Sequence, residues 1–184
     1  MKQTVLLPLL ACILIFAQCK KDKSTPPTDN PHGLPNATQE GKNTLGFLLN
    51  GVAWTPKGFN GTANLSIDFD EGVNNGVLGI VAYRTLSPAD KTQFILSITD
   101  SLNFASAPFV NFINSGSIGG LSFSTKDYCD VLHTDNTIFQ EGWIRVSKLD
   151  RTARIISGTF EGRIFKQVCG DTLKITEGRF DMSY

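Results

Sequence analysis

The sequence predicts an all-β domain, an antiparallel β-sandwich of about eight to ten strands. Three observations lead there. From Leu45 onward apolar residues recur with a period of two rather than 3.6. Gly, Asn and Asp interrupt those runs at short intervals, and no window reads as a long helix. Charged residues make up only 18% of the chain while Phe dominates the aromatics, a mixture that suits half-buried strands with tight turns. A small lipocalin-like β-barrel is the alternative closure of the same strands.

The elements follow in order. Leu45, Phe47 and Leu49 alternate with Gly46, Leu48 and Asn50. Asn50-Gly51 then supplies a type I′ turn, in which both central residues need positive φ. Val52 to Thr55 returns, and Pro56, with no N–H to donate, ends it. Leu65, Ile67 and Phe69 form the next alternating run, and Asp70 to Gly76 is rich in turn residues. Val77 to Arg84 is apolar on both faces and reads as a central strand covered on two sides. Gln93 to Thr99 carries Phe94, Leu96 and Ile98 on one face. Ile118, Leu121 and Phe123 change parity across Gly119-Gly120, which predicts a bulge. Trp143 to Leu149, Ala153 to Phe165 and Thr172 to Tyr184 complete a meander.

Within that meander Glu-Gly-Arg occurs twice, at 161–163 and 177–179. The four charges suggest either a catalytic or sugar-binding site or, more simply, cross-strand ion pairs. A turn centred on Gly170 would set Glu161 opposite Arg179 and Arg163 opposite Glu177, each pair contributing about 0.2–1 kcal/mol. Leu173 and Ile175 share one parity and Phe180, Met182 and Tyr184 the other, so a bulge belongs near Glu177-Gly178. Ile156, Gly158, Phe160, Gly162 and Ile164 alternate large and small, leaving room for a close backbone or a bulky ring.

Before the domain, residues 1–18 read as an export signal. Lys2 starts it, and the apolar stretch from Val5 to Ala17 is shorter than the roughly 20 residues of a membrane-spanning helix. Phe16-Ala17-Gln18-Cys19 resembles a bacterial lipoprotein signal, which implies lipid on Cys19 and attachment to a bilayer. Gln18 and Phe16 depart from the usual residues, and a soluble product cut after Ala17 is the plainer alternative. Cys12 follows a better local match, but a cut there would expose Ile13 to Phe16. Residues 19–43, with Pro26, Pro27, Pro31 and Pro35 and few large apolar side chains, read as a flexible tether. His32 in this tail reads as solvated. The all-β domain then spans residues 44–184.

The mature chain would keep Cys19, Cys129 and Cys169. Lipid on Cys19 leaves an even pair, and an exported Cys129 and Cys169 are best read as a disulfide, with two buried thiols as the alternative. Cys129 activated by His133 is a third, weaker reading. Asp127, Asp130 and Asp135, or Asp68, Asp70, Glu71 and Asn74, lack the spacing of the common calcium loop and read as turn residues. No metal or cofactor is expected. A formal net charge of zero argues against nucleic acid as a partner, and no phosphate loop, nucleophile elbow or dinucleotide fingerprint is present. Phe104, Ala107, Pro108, Phe109, Val110, Phe112 and Ile113 form an apolar stretch. Phe104, Phe109 and Phe112 are thus a candidate ligand patch, or an irregular strand packed on the core.

Cys19-Lys20-Lys21-Asp22, Asn50 to Pro56, and the ending from Ile156 to Phe160 through Cys169 to Thr172 and on to Asp181 resemble a family of outer-membrane lipoproteins of Bacteroidetes-type bacteria. The resemblance implies residence at the outer membrane, on either face, and implies no particular activity. It also implies O-glycosylation at Asp-Ser/Thr before an apolar residue, which Ser101 and Thr172 match. The expected function is a membrane-anchored binding or structural component of the envelope, with an envelope protein or a glycan as partner. A lipocalin-like barrel for a small apolar ligand and a hydrolase are the alternatives; no catalytic residue stands out.

Overall fold

The computed structural model describes residues 32–59, 61–87, 90–100, 102, 106–113, 119–125, 138–166 and 171–184. Among them are ten strands: β1 (Thr44–Leu49), β2 (Val52–Trp54), β3 (Leu65–Asp70), β4 (Val77–Thr85), β5 (Lys91–Ile98), β6 (Phe109–Ile113), β7 (Gly119–Thr125), β8 (Ile138–Asp150), β9 (Ile155–Lys166) and β10 (Asp171–Ser183). They form a six-stranded sheet, β2-β1-β10-β9-β8-β6, and a four-stranded sheet, β3-β4-β5-β7. All strand pairs within the sheets are antiparallel and neither sheet closes on itself. The protein is the β-sandwich its periodicity predicts.

The alternative barrel fails because aromatic rings fill the space that a ligand cavity would need. Phe47 of β1 and Phe160 of β9 come from one sheet, Phe94 of β5 and Phe123 of β7 from the other, and all are at most 1% exposed. Ring centroids lie 4.6 Å apart for Phe47–Phe94 and 5.3 Å for Phe94–Phe160. Trp54 stacks on Phe47 at 4.8 Å, and its indole N–H donates to Thr92 Oγ1 at 2.9 Å, bridging the sheets at their β2 side. Buried indole N–H groups need such a partner.

Local readings hold where backbone chemistry dictates them. Asn50 and Gly51 adopt φ of 49° and 82° between the paired Leu49 and Val52, as a two-residue hairpin turn requires. The bulge expected in β10 is present: two residues, Thr176 and Glu177, oppose the single Glu161, and Glu177 has a φ of 52°. It lets Ile175 and, beyond it, Phe180 and Met182 all reach the core. The glycines of β9 and β10 make room for rings: Gly158 pairs with Phe180 and Gly178 with Phe160. A Cβ on Gly158 would sit 2.7 Å from Phe180, and one on Gly178 2.5 Å from Phe160.

Other expectations are corrected. β9 and β10 are neighbours, but Arg179 pairs with Thr159 and Arg163 with Lys174, so neither expected Glu–Arg pairing forms. Arg163 instead meets Glu141 of β8, and Arg179 meets Glu177 on its own strand. β7 pairs with β5 in unbroken register from Gly119 to Thr125, without the expected bulge. Gly119 simply takes an inward position beside Ile144. β4 is central, yet only Leu78, Ile80 and Ala82 are buried; Val77, Val81 and Tyr83 are half-buried, so its burial is one-sided. Phe109 to Ile113 forms a regular edge strand on β8 rather than an irregular one.

The last correction concerns the N-terminal boundary. Leu34 is 3% exposed, Pro35 lies over Gly46, and residues 38–42 wrap the carboxylate of Asp181 on β10. Thr38 Oγ1 donates to it at 2.6 Å, the Glu40, Gly41 and Lys42 N–H groups at 3.1, 2.8 and 3.2 Å, and Ser157 Oγ of β9 at 2.8 Å. Asn43 Oδ1 accepts from the Ser183 N–H at 2.9 Å. Residues 34–43, expected in the tether, are an arm fastened across the outer face of the six-stranded sheet. Burial, the largest single influence, would raise the Asp181 pKa. The hydrogen bonds from Thr38, Glu40, Gly41 and Ser157 outweigh it and hold the carboxyl at about 2 rather than 3.8.

Two stability predictions follow from these contacts. A depressed carboxylate stabilises the fold above its unfolded pKa and loses that effect as pH falls through the folded one. Asp181 therefore contributes about 2 kcal/mol above pH 4, which disappears as pH falls towards 2. Denaturant unfolding of wild type and Asp181→Asn across that range should show a stability difference that shrinks on acidification; a constant difference contradicts it. Gly158→Ala, whose new methyl would lie 2.2 Å from the Arg145 carbonyl oxygen, should cost about 2–4 kcal/mol in the same assay.

Candidate functional site

Alternation along β8, β9 and β10 turns one set of side chains to the core and the other outward. The outward set here is Glu141 and Trp143 on β8, Glu161 and Arg163 on β9, and Lys174 and Thr176 on β10. Cross-strand register assembles them: Glu141 faces Arg163, which faces Lys174, while Trp143 faces Glu161, which faces the bulge at Thr176-Glu177. Together they wall a groove of about 530 Å³, open to solvent. Its floor is the backbone of Ile113, Gly142, Gly162 and Ile175, whose isoleucine side chains are buried in the core.

The bulge shapes one end of this groove. Opposing two residues to one locally bends β10 and re-aims its side chains. Thr176 lines the groove, while Glu177, in the left-handed region, stands half exposed beside it. Its carboxylate meets Arg179 at 3.3 Å and His32 Nε2 at 3.8 Å. His32, expected in a free tail, thus lies against the bulge where the arm begins.

Some of the groove's polar groups are satisfied and others are not. Arg163 donates through both Nε and Nη2 to Glu141 Oε1. The Glu161 carboxylate, the Lys174 ammonium, the Thr176 hydroxyl and the Trp143 indole N–H have no protein partner among the described residues. The site presents an aromatic surface, free donors and a free acceptor around an ion pair. Two carboxylates and two cations leave it without net charge.

This arrangement suits recognition better than hydrolysis. Glu141 and Glu161 are diagonal neighbours on adjacent strands, at roughly 7–8 Å. Glycoside hydrolysis needs its two carboxyl groups on opposite sides of the scissile bond. Here both rise from one floor, and Glu141 is held by Arg163.

The residues singled out from the sequence are elsewhere. Cys19, Cys129, Cys169, Ser101 and Phe104 lie outside the described residues, as do Asp127, Asp130, His133 and Asp135. Thr172 is exposed on β10, opposite Phe165. Phe109 packs, partly buried, against the core, and the backbone of Phe112 pairs with Trp143. Asp70 Oδ1 accepts from the Gly72 N–H at 2.7 Å, Glu71 pairs with Arg151 at 3.2 Å, and Asn74 Nδ2 donates to the Thr99 carbonyl at 3.3 Å. These residues serve the loop and its anchorage. No group of three or more His, Cys, Asp or Glu suited to a metal ion occurs among the described residues.

Trp143 itself was missed, although Glu141-Gly142-Trp143-Ile144-Arg145 carried a signal. Ile144 is the apolar core position, so strand parity puts a tryptophan on the polar face between an acid and a base. Trp143 stands outside the core cluster, partly exposed on that polar face.

Because these side chains lie outside the core, removing them should leave the fold intact. Arg163→Ala should change the unfolding free energy by at most about 1 kcal/mol, since its ion pair is exposed on both sides. Trp143→Ala should keep a cooperative melt with an unchanged near-ultraviolet signal from the buried Trp54. A loss of several kcal/mol in either variant would show that the face is structural. Comparison with family models, with curated proteins and with solved structures finds no match to this chain.

Proposed function

We propose that this protein is a lipid-anchored binding component of a bacterial envelope. In this reading residues 1–18 are removed, Cys19 is acylated, and the sandwich displays the groove on its outer face. The observation that carries the binding reading is the convergence of Trp143, Glu161, Lys174 and Thr176, none paired among the described residues, on one open groove. Polar groups left free around an aromatic residue are the usual makings of a recognition site. An apolar ligand is disfavoured, since the core is filled by Phe47, Phe94, Phe123 and Phe160.

The anchor reading rests on the Phe16-Ala17-Gln18-Cys19 signal, the charged run after it and the family resemblance. The packed arm sharpens its geometry. With the packed arm beginning at Leu34, a tether would comprise only residues 20–33. The groove would then work close to the bilayer, with the outer membrane as the expected address.

Each half has its own test. Cells fed an alkyne analogue of palmitate should label the wild type and leave Cys19→Ser unlabelled and released from the membrane fraction; equal labelling would refute the anchor. A thermal-shift screen against glycans, lipids and small metabolites should yield stabilising ligands whose effect disappears in Trp143→Ala. Hits that persist in that variant would place binding elsewhere.

A further inference from the structure

We infer that the groove takes an uncharged oligosaccharide, with one pyranose ring stacked on Trp143 and its neighbours running across β9 towards Lys174 and Thr176. This rests on the binding reading above and names the ligand class.

Four features of the site select that class. The first is charge balance: Glu141 and Glu161 are offset by Arg163 and Lys174. A site for an anionic or cationic chain would carry a clear excess of the opposite sign, since charge complementarity steers such ligands. The second is the pattern of free groups. Glu161 offers an acceptor, Lys174 and the Trp143 N–H offer donors, and the Thr176 hydroxyl offers both. Vicinal hydroxyls, each a donor and an acceptor, can satisfy such a set without bringing charge.

The third feature is Trp143, half-buried in the groove wall. The negative face of an aromatic ring attracts weakly positive C–H edges, and a pyranose presents a row of these on one face. The fourth is shape. Compact ligands are usually enclosed over most of their surface, whereas this groove is open to solvent and draws its lining from four neighbouring strands, β6, β8, β9 and β10. An open trough admits the middle of a chain as readily as its end. The bulge at Glu177 contributes by bringing Thr176 to the groove opposite Glu161.

The test uses the full chain purified in detergent. It contains two tryptophans, and Trp54 is 3% exposed in the core, so ligand-induced emission changes report Trp143. Cellohexaose, mannohexaose, laminarihexaose and chitohexaose serve as neutral probes, with hexagalacturonate and the glucosamine hexamer as charged ones. At least one neutral probe should shift the emission and bind at least tenfold tighter than either charged probe. Trp143→Ala, read by titration calorimetry because it lacks the reporter, should weaken that binding at least tenfold, with Trp143→Phe partly restoring it in the same assay. Glu161→Gln and Lys174→Ala should weaken it about three- to tenfold, and they carry the test if the tryptophan variants do not fold.

Three outcomes overturn the inference. Tighter binding of a charged probe through Trp143 rejects the neutral class but keeps the groove as a binding site. If no neutral probe binds, while ligands from the thermal-shift screen still depend on Trp143, the class is again wrong and the site right. If neither the probes nor the screen yields a Trp143-dependent ligand, both the inference and the binding reading fail.

Discussion

One buried carboxylate organises the outer face of this protein. Asp181 is 1% exposed, and a charge so placed is tolerable only when its lone pairs are satisfied. Ser157 supplies one donor from the neighbouring strand, but the other four come from Thr38, Glu40, Gly41 and Lys42. The arm and the carboxylate it covers thus hold one another in place. Removing the arm would open the carboxylate to water and leave it one protein donor, the Ser157 hydroxyl. The contact also joins the first described segment to the last strand, across some 140 residues of sequence, so the arm can dock only after β10 is in place. Such non-local closure is entropically costly to reach and comes late in assembly.

The arm occupies one half of the outer face, and no other described segment covers the rest. The dividing feature is the bulge at Glu177. It exists for a reason internal to the core: Leu173 and Ile175 on one side, Phe180 and Met182 on the other, must all face inward despite their opposite parity. Its outward consequence is that Glu161 has no single residue opposite it and that Thr176 is brought to the groove. A packing requirement on one face thus sets the shape of the polar face behind it.

This explains which parts of the molecule were legible in the sequence. Asn50-Gly51, the alternating strands, the parity switch in β10 and the glycine–phenylalanine interleaving of β9 and β10 are local or nearest-strand properties, and each could be read directly. The register of β9 against β10 could not, because it depends on how residues 167–170 connect them, and a small error there re-pairs every charge. The arm was misread for a related reason. Its composition is that of a linker, and beyond the buried Leu34 its order depends on one distant aspartate. Gly119 misled differently: a glycine at an inward position looks like a change of parity, since it contributes nothing to the apolar count. The groove was half legible. Glu161 and Arg163 drew attention through their repeat, but the partners supplied by β8 and β10 required the register.

The two faces of these strands also separate stability from recognition. Along β9, Gly158, Phe160, Gly162 and Ile164 are packed against rings and backbones, while Ser157, Thr159, Glu161 and Arg163 alternate with them on the other side. With a period of two, one strand carries two nearly independent messages. Substitutions on the inward set meet close-packed neighbours and are costly. Those on the outward set, beyond the reach of the arm, meet solvent and one exposed ion pair. Trp143, Glu161 and Lys174 lie outside the core cluster, so substitutions there bear on the core less than those on the inward set.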